Sequence, residues 1–215
     1  MEKERGETTE YVYSLLKERI FEWSLAPGQK INIRTLSQEL NISPIPLREA
    51  LSRLNSERLV ILEPNKGYHV SDILDDGNIK KMLDARILME TYAVQTIIRN
   101  NDLEIIENLS RLNEQMISIN YGSTNKNALF FTNLDEQFHS SIMKACGNDF
   151  LYEAYKGMHC HLHIARLYHI KNKVDQEEAP SEHQEIIESI QTRDIYRAER
   201  AIFKHIKDSL YRLLN

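Results

Sequence analysis

The sequence predicts a mainly α-helical chain in two parts: three helices closed by a β-hairpin, then an antiparallel bundle of six helices. Only seven glycines and five prolines punctuate 215 residues, and four of the prolines precede residue 65, so long helices should dominate after it. Apolar residues recur at three and four positions along most of the chain, with one stretch of alternation near residues 60 to 70. Charge divides near the same point. Residues 1 to 71 hold ten basic and ten acidic side chains, and the remainder holds 17 basic and 22 acidic. The net charge of −5 thus sits in the second part, with seven of the eight histidines, and the two parts look built for different tasks.

No apolar run approaches the roughly 20 residues of a membrane span, and the charged start "MEKERGETTE" lacks the apolar centre of a signal peptide. A cytoplasmic protein with no membrane partner is expected. Cys146 and Cys160 form no CxxC pair and suggest free thiols in a reducing compartment.

From Thr8 to Trp23, the positions Tyr11, Val12, Leu15, Leu16, Ile20 and Trp23 make one amphipathic face, and "LAPGQK" ends it. A short helix in "IRTLSQELNI" carries Leu36 and Leu40 on one side. After "SP" a third helix carries Leu47, Ala50, Leu51 and Leu54, which completes a helix-turn-helix arrangement. In "LVILEPNKGYHV" the period changes to two around the turn "PNKG", giving a hairpin with Lys66 and Gly67 at its tip. A helix-turn-helix followed by a hairpin is the winged form of the motif.

The stretch "PGQKINIRTLSQELNISPIPLREALSRLNSERLVILEPNKGYHV" resembles the winged helix-turn-helix of the GntR family of bacterial transcription regulators. The resemblance implies an operator of double-stranded DNA as partner. It also implies DNA contacts at Arg34, Ser43, Ile45, Arg48, Lys66 and Gly67. Arginines can hold phosphates or guanine edges, and glycine lets a wing backbone approach a groove. Pro44 and Ile45 stand where the family usually has Arg and Thr, which removes one basic contact. Between Lys30 and Lys66 there are six basic and four acidic residues, so a dimer sharing two half-sites is expected.

After the polar linker "SDILDDGN", six helices are expected, near 75–99, 102–119, 126–146, 149–171, 178–192 and 194–213. The domains should divide as 1–72 and 73–215. Asp135 and His139 are neighbours on a helix face that also carries Phe131, Phe138 and Ile142. An unpaired carboxylate there would cost several kcal/mol, so it needs a partner. His183 shares a stripe with Ile186, Ile187 and Ile190, and His205 one with Ala198, Ala201 and Ile202. Both stand about ten residues from the turn near Arg193, and at ~1.5 Å per residue they reach the same height. Asp135, His139, His183 and His205 together suit a divalent ion, zinc first, with nickel, manganese or iron also fitting. The competing view makes them core histidines satisfied by carbonyls or by each other.

The second part resembles the FCD ligand-binding domain of the FadR branch of that family, through "DARILME", "LDEQFHSSIMKACGND" and "PSEHQEIIESIQTRDIYRAERAIFKHI". Six helices in a short chain are similar to the VanR-like subgroup. The resemblance implies the same four metal ligands and a small organic acid as effector. It also places Arg86 against the effector cavity, although a salt bridge to Glu90 is an equal alternative. In "MHCHLHIARLYH", Arg166 is a second candidate to grip an anion, and His163 is a candidate lining residue. The function expected is a homodimeric transcription regulator, a repressor, whose grip on DNA answers to metal and effector. The alternative is a hydrolase-type metalloenzyme using the His3Asp site. No general base at a defined spacing accompanies that site, so an enzyme is not expected.

Overall fold

The computed structural model describes residues 5–119, 125–159, 163–164 and 177–214. The chain forms two compact units, Met1–Ile73 and Leu74–Asn215.

In the first unit the order is α1 (Arg5–Phe21), β1 (Lys30–Ile31), α2 (Ile33–Leu40), α3 (Pro44–Ser56), β2 (Val60–Glu63) and β3 (Gly67–Val70). Asn32 starts α2 by accepting from the amides of Arg34 at 3.0 Å and Thr35 at 3.1 Å, which satisfies two donors the helix cannot. Asn41 ends it in the left-handed region at φ 52°, which asparagine tolerates. Pro44 then opens α3 at a position where a missing N–H costs nothing. Leu47, Ala50, Leu51 and Leu54 of α3 are fully buried with Val12 and Leu16 of α1, and the two helices pack together.

The hairpin pairs Val60 with Val70 and Glu63 with Gly67, and Asn65 and Gly67 carry positive φ in its turn. One strand was not expected. Lys30 and Ile31 pair with His69 and Tyr68, giving a three-stranded antiparallel sheet in the order β1-β3-β2.

In the second unit the described helices are α4 (Asp76–Asn100), α5 (Ile105–Ile117), α6 (Asn125–Ala145), α7 (Asp149–Met158), α8 (Glu178–Gln191) and α9 (Ile195–Leu214). Asp75 caps α4 through the amide of Asn78 at 2.8 Å, and Asn101 closes it at φ 57°. Gly147 at φ 71° separates α6 from α7, where Asn148 accepts from the amide of Leu151. Asp194 receives the amide of Arg197 and starts α9 after a tight turn with Arg193 at φ 58°.

α9 packs on α4 and α8, α5 lies against α6 and α8, and α6 touches α4 and α7. The predicted helix 149–171 is broken at His159; residues 163–164 are helical again, and 160–162 and 165–171 lie outside the described residues. His159 turns left-handed at φ 49°, its amide closes on the Lys156 carbonyl, and α7 ends at Met158. Among the described residues no helix is long and apolar enough to cross a membrane.

Candidate functional site

Asp135 and His139 come from α6, His183 from α8 and His205 from α9. All four are buried, and one ligand atom from each lies within 4.8 Å of the others. Nε2 of His139 stands 3.2 Å from Nε2 of His183 and 3.1 Å from Nε2 of His205. Oδ1 of Asp135 is 3.3 Å from Nε2 of His183 and 3.6 Å from Nε2 of His139. Two atoms bound at ~2.1 Å to one ion, with angles between about 90° and 109°, are roughly 3.0 to 3.4 Å apart. Four of the six separations in the cluster, 3.1 to 3.6 Å, therefore lie near the edge lengths of a coordination shell, and the others are within 4.8 Å.

The outer nitrogens explain how the rings are aimed. Nδ1 of His139 lies 2.8 Å from Oε2 of Glu90, and Nδ1 of His205 lies 2.9 Å from Oε2 of Glu182. An ionised carboxylate only accepts, so each Nδ1 carries the proton and donates. In neutral rings both Nε2 atoms then present lone pairs to each other at 3.1 Å, an arrangement that a cation relieves. His183 is aimed differently: its ring stacks on Phe138 at 4.1 Å and 15°, and its Nδ1 has no hydrogen-bond partner among the described residues.

Burial pushes the His183 imidazole down to about 3, and it lowers His205 as well. Burial opposes ionisation of Glu182, but hydrogen bonds from His205 and Arg212 overcome it and bring that carboxyl down to about 2. Burial is again opposed at Glu90, where the charge of Arg86 and hydrogen bonds from His139 and Arg86 hold the carboxyl well below its usual range.

A pH dependence follows for the metal-free protein. The folded value of His183 lies below its ordinary 6.5, so the unfolded chain takes up the proton first as pH falls. Stability should be fully present above about 6.5 and decline toward pH 3, by as much as about 1.4 kcal/mol per unit. Urea midpoints of chelator-treated protein at pH 7 and pH 5 measure this, and equal midpoints would rule out a buried neutral His183.

The sequence offers Glu90 only as a salt-bridge partner of Arg86, a pairing the structure contains, and does not single out Glu182. Glu90 could have been found by the argument applied to Asp135, because it lies on the inward face with Arg86, Val94 and Ile97. Arg86 is 1% exposed and its Nε lies 2.5 Å from Oε1 of Glu90. His163 is buried and its amide reaches the His159 carbonyl at 3.3 Å. Arg166 lies outside the described residues.

In the first unit Arg34, Ser43, Ile45, Arg48 and Lys66 are exposed, and Gly67 is half-buried at φ 84°. Arg34 sits in the first turn of α2, and Ser43, Ile45 and Arg48 line the start of α3. Ile45 is 54% exposed, an unusual position for a large apolar side chain. Arg19 and Arg53 are held by Glu39 and Glu10, whereas among the described residues no acidic side chain forms an ion pair with Arg34 or Arg48. Lys66 reaches Glu63 at 2.7 Å on the same hairpin.

Residues 8–70 match the gntR family of bacterial regulatory proteins and residues 81–208 match the FCD domain. The chain belongs to the GntR family: it is a DNA-binding transcription regulator with an FCD domain, not an enzyme. It is 28% identical over 196 residues to the gluconate operon transcriptional repressor of Bacillus licheniformis, covering 88% of this chain and 78% of that one. The transcriptional repressor GlaR of Escherichia coli (strain K12) is 25% identical over 205 residues, 90% of each chain. The solved structure of E. coli McbR (YncC) has the same fold at a TM-score of 0.70 and 18% identity, covering 97% of this chain and 99% of that one.

Proposed function

We propose that this regulator is a repressor whose second unit holds a divalent ion and a small organic acid, and that their occupancy sets its grip on an operator. The observation that carries the reading is the meeting of His139 and His205. Their Nε2 atoms are 3.1 Å apart while both Nδ1 atoms face carboxylates. Asp135, His139, His183 and His205 would hold the ion, zinc first, with nickel, manganese or iron also suited.

A metal ion with positions left open supplies a Lewis acid that an organic carboxylate can complete. Arg86, His163 and Arg166 are the further contacts proposed for that effector. A relative named for the gluconate operon supports an organic acid as its class. The effector must bind the DNA-competent and incompetent arrangements with different affinity, otherwise it shifts nothing.

DNA is assigned to residues 1–72, with Arg34, Ser43, Ile45, Arg48, Lys66 and Gly67 as contacts, and the ligands to residues 73–215. Membership of the FadR branch, in its VanR-like subgroup, accords with the length of the second unit. A homodimer would bring two recognition helices to two half-sites.

Elemental analysis of the purified protein, with mass spectrometry of co-purifying acids, tests this reading. About one divalent ion per chain is expected, as four inward ligands suit one ion. Adding the acid so found should change the affinity for DNA from upstream of the protein's own gene. Protein that binds no divalent ion on titration would sink the metal reading.

A further inference from the structure

Behind two of the three histidines stands a repeated arrangement. On α4, Arg86 donates through Nε to Oε1 of Glu90 at 2.5 Å, and Tyr155 donates to the same oxygen at 2.9 Å. The other oxygen of Glu90 takes Nδ1 of His139 at 2.8 Å. Across the cluster, Arg212 grips Glu182 with both Nη groups at 2.9 Å each, and Oε2 of Glu182 takes Nδ1 of His205 at 2.9 Å.

Local sequence builds both. Arg86 and Glu90 are four apart on α4, and His205 and Arg212 are seven apart on one face of α9. Glu182 immediately precedes His183 on α8, so one helix turn supplies a candidate ligand and the orienter of another.

The two differ in setting. Arg86 and Glu90 are sealed, with side chains 1% and 0% exposed, whereas Arg212 and Glu182 are 17% and 11% exposed. Glu182 and His205 also line a groove of about 1250 Å³ between α4, α8 and α9, and that groove is open to solvent. His139, His183 and Asp135 do not line it.

We propose that Glu90 and Glu182 are positioning residues of the metal centre, each held by an arginine and each fixing one histidine with its Nε2 toward the ion. Glu182, at the solvent side, also governs exchange of the ion, because the groove reaches the centre through His205. Each carboxylate keeps the proton on Nδ1 and restricts rotation of the ring, so the lone pair is already aimed before the ion arrives. Loss of such an outer partner lowers metal affinity by about 10- to 100-fold in comparable sites.

This inference rests on the metal reading, and the test separates the two. Full-length wild type, Glu90→Gln, Glu182→Gln and Glu185→Gln are titrated with zinc against a chromophoric chelator, and zinc release into excess chelator is timed. Glu185 is one turn from Glu182 but pairs with Arg197, so it controls for general loss of negative charge. Nitrogen-15 spectra of the histidines in the zinc-loaded protein report which ring nitrogen carries the proton, a readout that a loss of stability alone does not move.

Glu182→Gln should weaken zinc binding about 10- to 100-fold and speed release at least as much. Glu90→Gln should weaken it over the same range, with a smaller effect on release. Glu185→Gln should match wild type, and His139 and His205 should carry protons on Nδ1. Should Glu90→Gln fail to fold, Tyr155→Phe removes one partner of the same carboxylate and should shift affinity in the same direction. Zinc binding by Glu182→Gln equal to wild type, or equal losses in Glu185→Gln, would overturn the proposal while leaving the metal reading intact. Wild type that binds no zinc would overturn both.

Discussion

His139→Ala is expected to purify without the divalent ion proposed for the cluster. His139 is the hub of the cluster, 3.2 Å from Nε2 of His183, 3.1 Å from Nε2 of His205 and 3.6 Å from Oδ1 of Asp135. Its loss removes a proposed ligand and not an outer partner, so the fall in affinity should exceed the roughly 10- to 100-fold of the latter. Alanine also takes from Glu90 a hydrogen bond in a fully buried place, at a cost of about 1 to 3 kcal/mol. Each kcal/mol lowers the melting temperature by roughly 2 to 4 °C in a chain of this size.

Comparison with chelator-treated wild type separates the two contributions, because wild type without its ion keeps the bond to Glu90. The variant should therefore melt below metal-free wild type and gain nothing from added zinc. A variant that still gains several degrees from zinc would show that the ion sits elsewhere.

Much of this centre is legible in the sequence because helices impose a period. Asp135 and His139 at four residues share a face, and His183 and His205 at matched distances from one turn share a height. Neither relation needs anything beyond local geometry. The carboxylates behind the histidines are harder to read. Arg86 and Glu90 at four residues look the same whether the pair lies on a surface or, as here, in a core. Glu182 was hidden beside a more conspicuous histidine.

The missed strand has another cause. Lys30 and Ile31 gain their partners from residues almost forty positions later, and no period exists in two residues. The end of α7 at His159 is also poorly marked locally, since Gly157 falls inside its last turn and the left-handed position itself carries a histidine.

In the first unit, Arg48→Ala is expected to weaken operator binding by about 1 to 3 kcal/mol, roughly 5- to 150-fold. Arg48 is exposed near the start of α3, and among the described residues no acidic side chain pairs with it. Arg53, one turn and a half further on, is already bound to Glu10 at 2.6 Å and lies 3.6 Å from the Tyr13 ring, so Arg53→Ala should act mainly on stability.

The salt dependence tells which partner Arg48 meets. A phosphate contact would be lost equally on every sequence, and the slope of log affinity against log salt would fall by about 0.9. A guanine contact would leave the slope nearly unchanged and narrow the gap between operator and random DNA, because the bidentate pairing carries the discrimination. Fluorescence anisotropy with both DNAs at several salt concentrations decides between them. Arg48→Ala with wild-type affinity on both DNAs would remove Arg48 from the interface and point to Arg34 as the arginine that anchors the motif.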